Sequence, residues 1–184
     1  MRIATLLTAF VISLSTAAGA HFVLVFPAAS LMQNRLGDPQ KIAPCGGVSA
    51  NPGRGTPANP WTPSEALTRL KGGATVHLLL QETVFHPGHY RVALARTAAQ
   101  LPADPVVTTR DSERGPWSVS AAIQNPSAAP VLADGLFPHT ERPMGLWEAD
   151  IQIPNINCPN CVLQVIQFMA EHAKNMDGDY SYHH

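Results

Sequence analysis

The chain reads as an all-β protein, a β-sandwich with long loops, on three observations. It carries 17 prolines and 13 glycines and few long helical periodicities, which points to a loop-rich β domain. Five or six short runs alternate in polarity or are rich in β-branched residues, a strand count that suits a sandwich. Three stretches, Gly46–Pro63, Leu101–Pro116 and Asn125–Pro143, are dominated by residues that favour turns. Long connections of this kind in a small domain serve as binding surface or excursions.

Taken in order, residues 1–20 have the character of a secretory signal peptide. Arg2 supplies the positive start, Ile3–Leu14 the apolar run, and Ala18 and Ala20 the small residues before the expected cut. Residues 21–184 then form one domain, long enough to bury a core. Phe22–Phe26, closed by Pro27, is a short apolar run suited to a first strand. A helix is expected over Pro63–Leu70, where Thr62 can cap and Glu65 stands three residues on. Thr75–Leu80 and Tyr90–Ala95 read as strands, with Pro87-Gly88 as turn chemistry between them. Trp147–Ile153 alternates, with Trp147, Ala149, Ile151 and Ile153 on one face and Glu148, Asp150 and Gln152 on the other. Val162–Met169 is a further β-branched run. Tyr180-Ser181-Tyr182-His183-His184 has the look of an opening strand.

Twelve Lys and Arg against thirteen Asp and Glu leave a formal charge of −1, and no basic face is evident. Nucleic acid is therefore not expected as a partner. No apolar run after residue 20 reaches the roughly 18–20 residues that span a bilayer. The mature protein is expected to be secreted or periplasmic, without stable membrane insertion, and monomeric. Three cysteines, Cys45, Cys158 and Cys161, are an odd number for an exported chain, where disulfides are the rule. Cys158-x-x-Cys161 lacks the second CxxC of a zinc site and the βαβ setting of a redox motif, so a structural disulfide is expected. Either Cys158 pairs with Cys161, or Cys45 pairs with one of them. The odd cysteine and the strand-like ending lead to the expectation that the native chain continues, with a fourth cysteine soon after His184.

Cleavage after Ala20 would make His21 the first residue. A free α-amine, with a reference pKa of about 7.7–8.0, and an imidazole would then lie on one residue and could close a chelate ring around one metal. Nitrogen donors in tetragonal geometry favour Cu(II). Of the eight histidines, His77, His139, His172, His183 and His184 read as ordinary. His86-Pro87-Gly88-His89 lies between two strands, where a sandwich presents residues at its tip, and its stiff turn lowers the entropy lost on metal binding.

These residues resemble the copper-dependent lytic polysaccharide monooxygenase superfamily, most of all its bacterial polysaccharide-monooxygenase-like proteins. The resemblance rests on the cut before His21, the strand HFVLVFP, Pro44-Cys45-Gly46-Gly47, and Glu82-Thr83-Val84-Phe85-His86 leading into Tyr90-Arg91-Val92. It continues in Trp147–Pro154 and in Cys158-x-x-Cys161-Val162-Leu163-Gln164, all in order across residues 21–182. It implies an immunoglobulin-like (fibronectin III-like) β-sandwich. It also implies a histidine brace for copper, made of the amine and ring of His21 and one nitrogen of a second histidine. The motif places that second ligand on His86, with His89 in reserve. His21 and His86 would then carry oxidative cleavage of a polysaccharide. Tyr180 and Tyr182 are stand-ins for the axial aromatic, Trp61 and Trp117 for a substrate face, and Gln164 and Gln167 for an amide beside the metal. Two other functions compete: copper binding without turnover, for acquisition, storage or delivery with a copper-handling partner, and a metal-free structural or carbohydrate-binding sandwich.

Overall fold

The computed structural model describes residues 21–38, 40, 42–46, 62–113, 115–173 and 181–184. Residues 1–20, expected to be a signal peptide, most of the Gly46–Pro63 loop including Trp61, and Tyr180 lie outside the described residues.

The described chain is all-β. Ten strands follow in order: β1 (His21–Phe26), β2 (Thr75–Val84), β3 (Gly88–Ala95), β4 (Val107–Arg110), β5 (Trp117–Ala121), β6 (Val131–His139), β7 (Trp147–Gln152), β8 (Val162–Met169), β9 (His172–Ala173) and β10 (Ser181–His183). They make three antiparallel sheets, β1-β2-β7, β10-β8-β3-β6 and β4-β5-β9. Alternation decides which side chains go inward. Val76, Leu78 and Leu80 of β2 are buried while His77 and Gln81, on the alternate face, are exposed. The expected Trp147–Ile153 alternation is present, with Ile151 and Ile153 buried and Glu148, Asp150 and Gln152 exposed.

The first two sheets pack together through one apolar cluster that includes Phe22, Leu24, Leu78, Leu80, Tyr90, Val92, Ile151 and Val165. Phe22 meets Tyr90 edge to face at 5.3 Å. Each large side chain buried here contributes roughly 1.5–3 kcal/mol. The neighbours β3 and β8 are buried along most of their length. Their register pairs Tyr90 with Gln167 and Val92 with Val165, which face the cluster, and His89 with Phe168 and Arg91 with Ile166 on the opposite face. The third sheet lies against that opposite face, where Ala121 packs on Phe168.

Three expectations are corrected. No helix forms over Pro63–Leu70; the described residues hold only a 3-10 turn at Ala98–Gln100. Pro63 bridges to Leu31, the Ser64 N–H donates to the Ser30 carbonyl, and the Ser64 hydroxyl donates to the Ala29 carbonyl while accepting the Ala66 N–H. Glu65 is left-handed at φ 58°. A short helix has little stability of its own, and serine bonding to nearby backbone outcompetes it. The Leu101–Pro116 stretch holds β4, and the Asn125–Pro143 stretch holds the nine-residue β6. β6 tolerates Pro138 because it is an edge strand, and Gly135 and Phe137 take positive φ where its register shifts. His139 accordingly closes a strand instead of lying in a loop.

Candidate functional site

His21 opens β1 and pairs with Val84 near the end of β2; the register then skips Thr83 and pairs Phe22 with Glu82. This bulge brings the first residue of β1 beside the chain that leads into His86, two residues beyond Val84. The His21 ring rests against the segment that ends at Gln40. Gln40 Oε1 accepts the Phe22 N–H at 3.4 Å, which turns Nε2 toward His21 Nδ1 at 2.7 Å. Nδ1 therefore accepts from Gln40, and a metal bound there would have to replace that bond. The Asp38 carboxylate lies 3.3 Å from the same nitrogen. Asp38 is buried, and Asn34 holds it through two side-chain bonds, Nδ2 to Oδ2 at 3.0 Å and the Asp38 N–H to Oδ1 at 3.1 Å. Gly37 precedes it at φ +97°, and a Cβ there would overlap the Phe22 carbonyl. Only glycine lets this segment approach β1 so closely.

His86 follows β2 and is buried. Its backbone is held from beneath by Glu82, whose Oε1 accepts the His86 N–H at 3.0 Å and the Gln167 side-chain N–H at 2.9 Å. His139 donates Nε2–H to the His86 carbonyl at 2.9 Å, stands 3.4 Å from Glu82, and donates Nδ1–H to the Phe137 carbonyl at 2.7 Å. Burial opposes charge on His139, but Glu82 and the two carbonyls outweigh it and hold the imidazole above its usual pKa. Burial holds His86 below its usual value. His86 is therefore a neutral ring at pH 7, the form that binds metals.

The third sheet adds a residue that sequence reading passed over. His172 in β9 is buried, and its ring lies 5.4 Å from that of His86, centroid to centroid. Its distance in sequence and its two-residue strand left no signal. Glu82 and His139 were equally hidden as supports. Gln167, a candidate from sequence, joins the Glu82 network on the core side. Gln164 faces the other way and donates to the Pro44 carbonyl at 2.6 Å.

His89 is separated from this arrangement. It lies in β3 on the face away from the core, its ring tilted against Phe168 at 5.1 Å, and burial lowers its pKa. It borders a cleft of about 380 Å³ that Ser120, Ile123, His139 and Glu171 also line. Trp117 is half-buried, with its indole N–H donating to Glu171 at 2.9 Å and the Arg110 guanidinium 5.8 Å from the centre of its ring. Tyr182 opens no view of an axial group, since its side chain lies outside the described residues. Cys158 and Cys161 form the disulfide, and Cys45 is a free thiol that burial pushes up to about 11.

Among the described residues no group of three or more His, Cys, Asp and Glu side chains is arranged to hold a metal. A histidine brace takes its three nitrogens from two residues, so it would not form such a group. The residues present fit one in their chemistry. His21 Nδ1, the ring nitrogen nearest its own backbone nitrogen, is an acceptor that metal could take over from Gln40, and it lies next to a buried carboxylate that favours positive charge. His86 is neutral. In the uncut chain the His21 backbone nitrogen is a delocalised amide and not a metal ligand; only a cut before His21 would make it one. The chain matches no protein-family model, no curated protein and no solved structure. Among the described residues no helix is long and apolar enough to cross a membrane.

Proposed function

We propose that this is an exported copper protein with a histidine brace on His21 and His86, built on an immunoglobulin-like β-sandwich, and that it supports lytic polysaccharide monooxygenase-like oxidation of a glycan. The observation that carries the reading is the β1–β2 register, which pairs His21 with Val84 and so sets it beside the entry to His86. Gln40 donates to Nδ1 and so holds the His21 ring as the Nε2–H tautomer, a bond that metal at Nδ1 would replace, and Asp38 adds negative charge beside it. Glu82 and His139 fix the backbone of His86 from below. Hydrogen-bonded supports of this kind orient metal-binding histidines and tune them. Bound copper would supply the redox chemistry, and the protein would supply position, charge and access.

Copper binding without turnover, for acquisition, storage or delivery, is favoured by one observation. Trp117 is engaged by Arg110 and Glu171, so it is poorly placed to serve as an open stacking plane for sugar rings.

A Cu(II) titration read by EPR tests the brace on two forms, one beginning at His21 and one with an extra residue before it. Tight one-to-one binding with nitrogen hyperfine structure, lost on extension, is expected. Equal, weak binding by both forms would remove the brace. With binding established, reductant-driven release of oxidised sugars separates the oxidative reading from the handling one.

A further inference from the structure

The chain leaves β8 at Met169 and enters β9 at His172, and in that short step it changes sheets. Backbone bonds define the route. The Ala170 N–H donates to the Pro87 carbonyl at 2.8 Å, and the Glu171 N–H donates to the Ser118 carbonyl at 2.8 Å. Glu171 takes φ 53°, a left-handed conformation that a glutamate keeps only where its surroundings hold it. Ser118, fully buried, then grips the next residue: its hydroxyl donates to the His172 carbonyl at 3.0 Å and accepts the His172 N–H at 3.2 Å.

The outcome of these constraints is that the His172 imidazole is set beside that of His86, a residue in the connection between β2 and β3. The rings are 5.4 Å apart, tilted by 55°, and both residues are buried. With nitrogen–metal bonds of about 2.0–2.1 Å, two imidazoles on one ion keep their centroids about 4–6 Å apart, and 5.4 Å falls within that span. Imidazole nitrogen suits copper. The Pro87–Ala170 bond ties the two histidine segments together at the backbone, so binding would demand little rearrangement of the chain.

We propose that His172 is a further imidazole donor to the copper held at His86. The proposal rests on the copper reading above, and the test separates the two. Copper affinity and the Cu(II) EPR spectrum are measured for the protein beginning at His21 and for His21→Ala, His86→Ala, His172→Ala and His172→Gln. Thermal unfolding establishes that each variant folds. In parallel, a Cu(I) titration of the unsubstituted protein beginning at His21 is followed by the ¹⁵N shifts of its histidine rings. The expectation is at least a tenfold loss of affinity, on the order of what even an indirect supporting residue costs, and a changed EPR spectrum for both His172 variants. The ring nitrogens of His86 and His172 should shift together up to one equivalent of Cu(I). If His21→Ala and His86→Ala lose copper while the His172 variants and the His172 shifts are unchanged, the brace stands and this proposal falls. If His86→Ala and His172→Ala lose copper and His21→Ala keeps it, the pair stands and the brace falls. Unchanged binding in every variant overturns both. Should the His172 variants fail to fold, the ring shifts of the unsubstituted protein decide.

Discussion

The Glu82 carboxylate lies 3.4 Å from His139 Nε2 inside the protein, directly beneath the His86 backbone. Every polar neighbour recorded for the His139 ring is an acceptor, the carboxylate and two carbonyls. The pair is therefore a buried ion pair that also carries the corner. Removing one partner from such a pair leaves an uncompensated charge, which is expected to cost about 3–5 kcal/mol. Glu82→Ala should lower stability by that amount in urea unfolding and weaken copper binding by about 10–100-fold. A loss under about 1 kcal/mol, the level of an exposed pair, would show that Glu82 does not hold the corner.

His86 and His89 differ by three residues but face different environments. His86→Ala should weaken copper far more than His89→Ala, whose main effect should be lost packing against Phe168. Calorimetric titration of both variants checks this. The reverse ranking would transfer the second ligand to His89.

Gly88 opens β3 where it pairs with Met169, and a Cβ there would overlap the Phe168 carbonyl. Gly88→Ala should force β3 and β8 apart beside the His86 corner, at about 1–3 kcal/mol in the range of overpacking changes. Thermal unfolding of the variant would reveal it, and an unchanged midpoint would mean the strands part freely.

His77 lies on the exposed face of β2, with Nδ1 2.8 Å from Asp150 and Nε2 3.3 Å from Glu148. The hydrogen bond to Asp150, more than any other neighbour, raises its pKa above the usual value. A raised folded-state pKa means the charged ring is favoured by folding. The contribution is therefore fully present below about 6.5, the unfolded value, and fades as pH rises through the folded pKa. An NMR titration should place His77 above 6.5 and Asp150→Asn should bring it back down; no change on substitution would remove the pairing.

Burial pushes the Cys45 thiol up to about 11, so thiolate is scarce at neutral pH. Alkylation of Cys45 at pH 7–8 should be much slower than that of a small free thiol. Rapid labelling under native conditions would show that the site opens readily.

Much of the strand framework could be read from local pattern. Thr75–Leu80, Tyr90–Ala95, Trp147–Gln152 and Val162–Met169 are all strand, because alternation and β-branching act within a few residues. β4 and β6 were missed for the same reason: their turn-rich composition masks a ladder supplied by partners far along the chain. The Pro63–Leu70 segment shows the converse, a capping pattern overruled by bonds to Ala29 and Ser30.

The candidate site divides along the same line. His21 and His86 stand out from sequence because an expected cut before histidine and a stiff His-Pro-Gly-His turn are local features. Pairing parity then sets His89 on the far face of its sheet, something a three-residue spacing across a turn does not reveal. Asp38, Gln40, Glu82, His139 and His172 reach the two histidines only through strand register, a close glycine contact and a change of sheet. Those relationships depend on which strands pair and in what alignment. They are settled by the sum of many weak contacts across the whole domain, and no short stretch of residues encodes them.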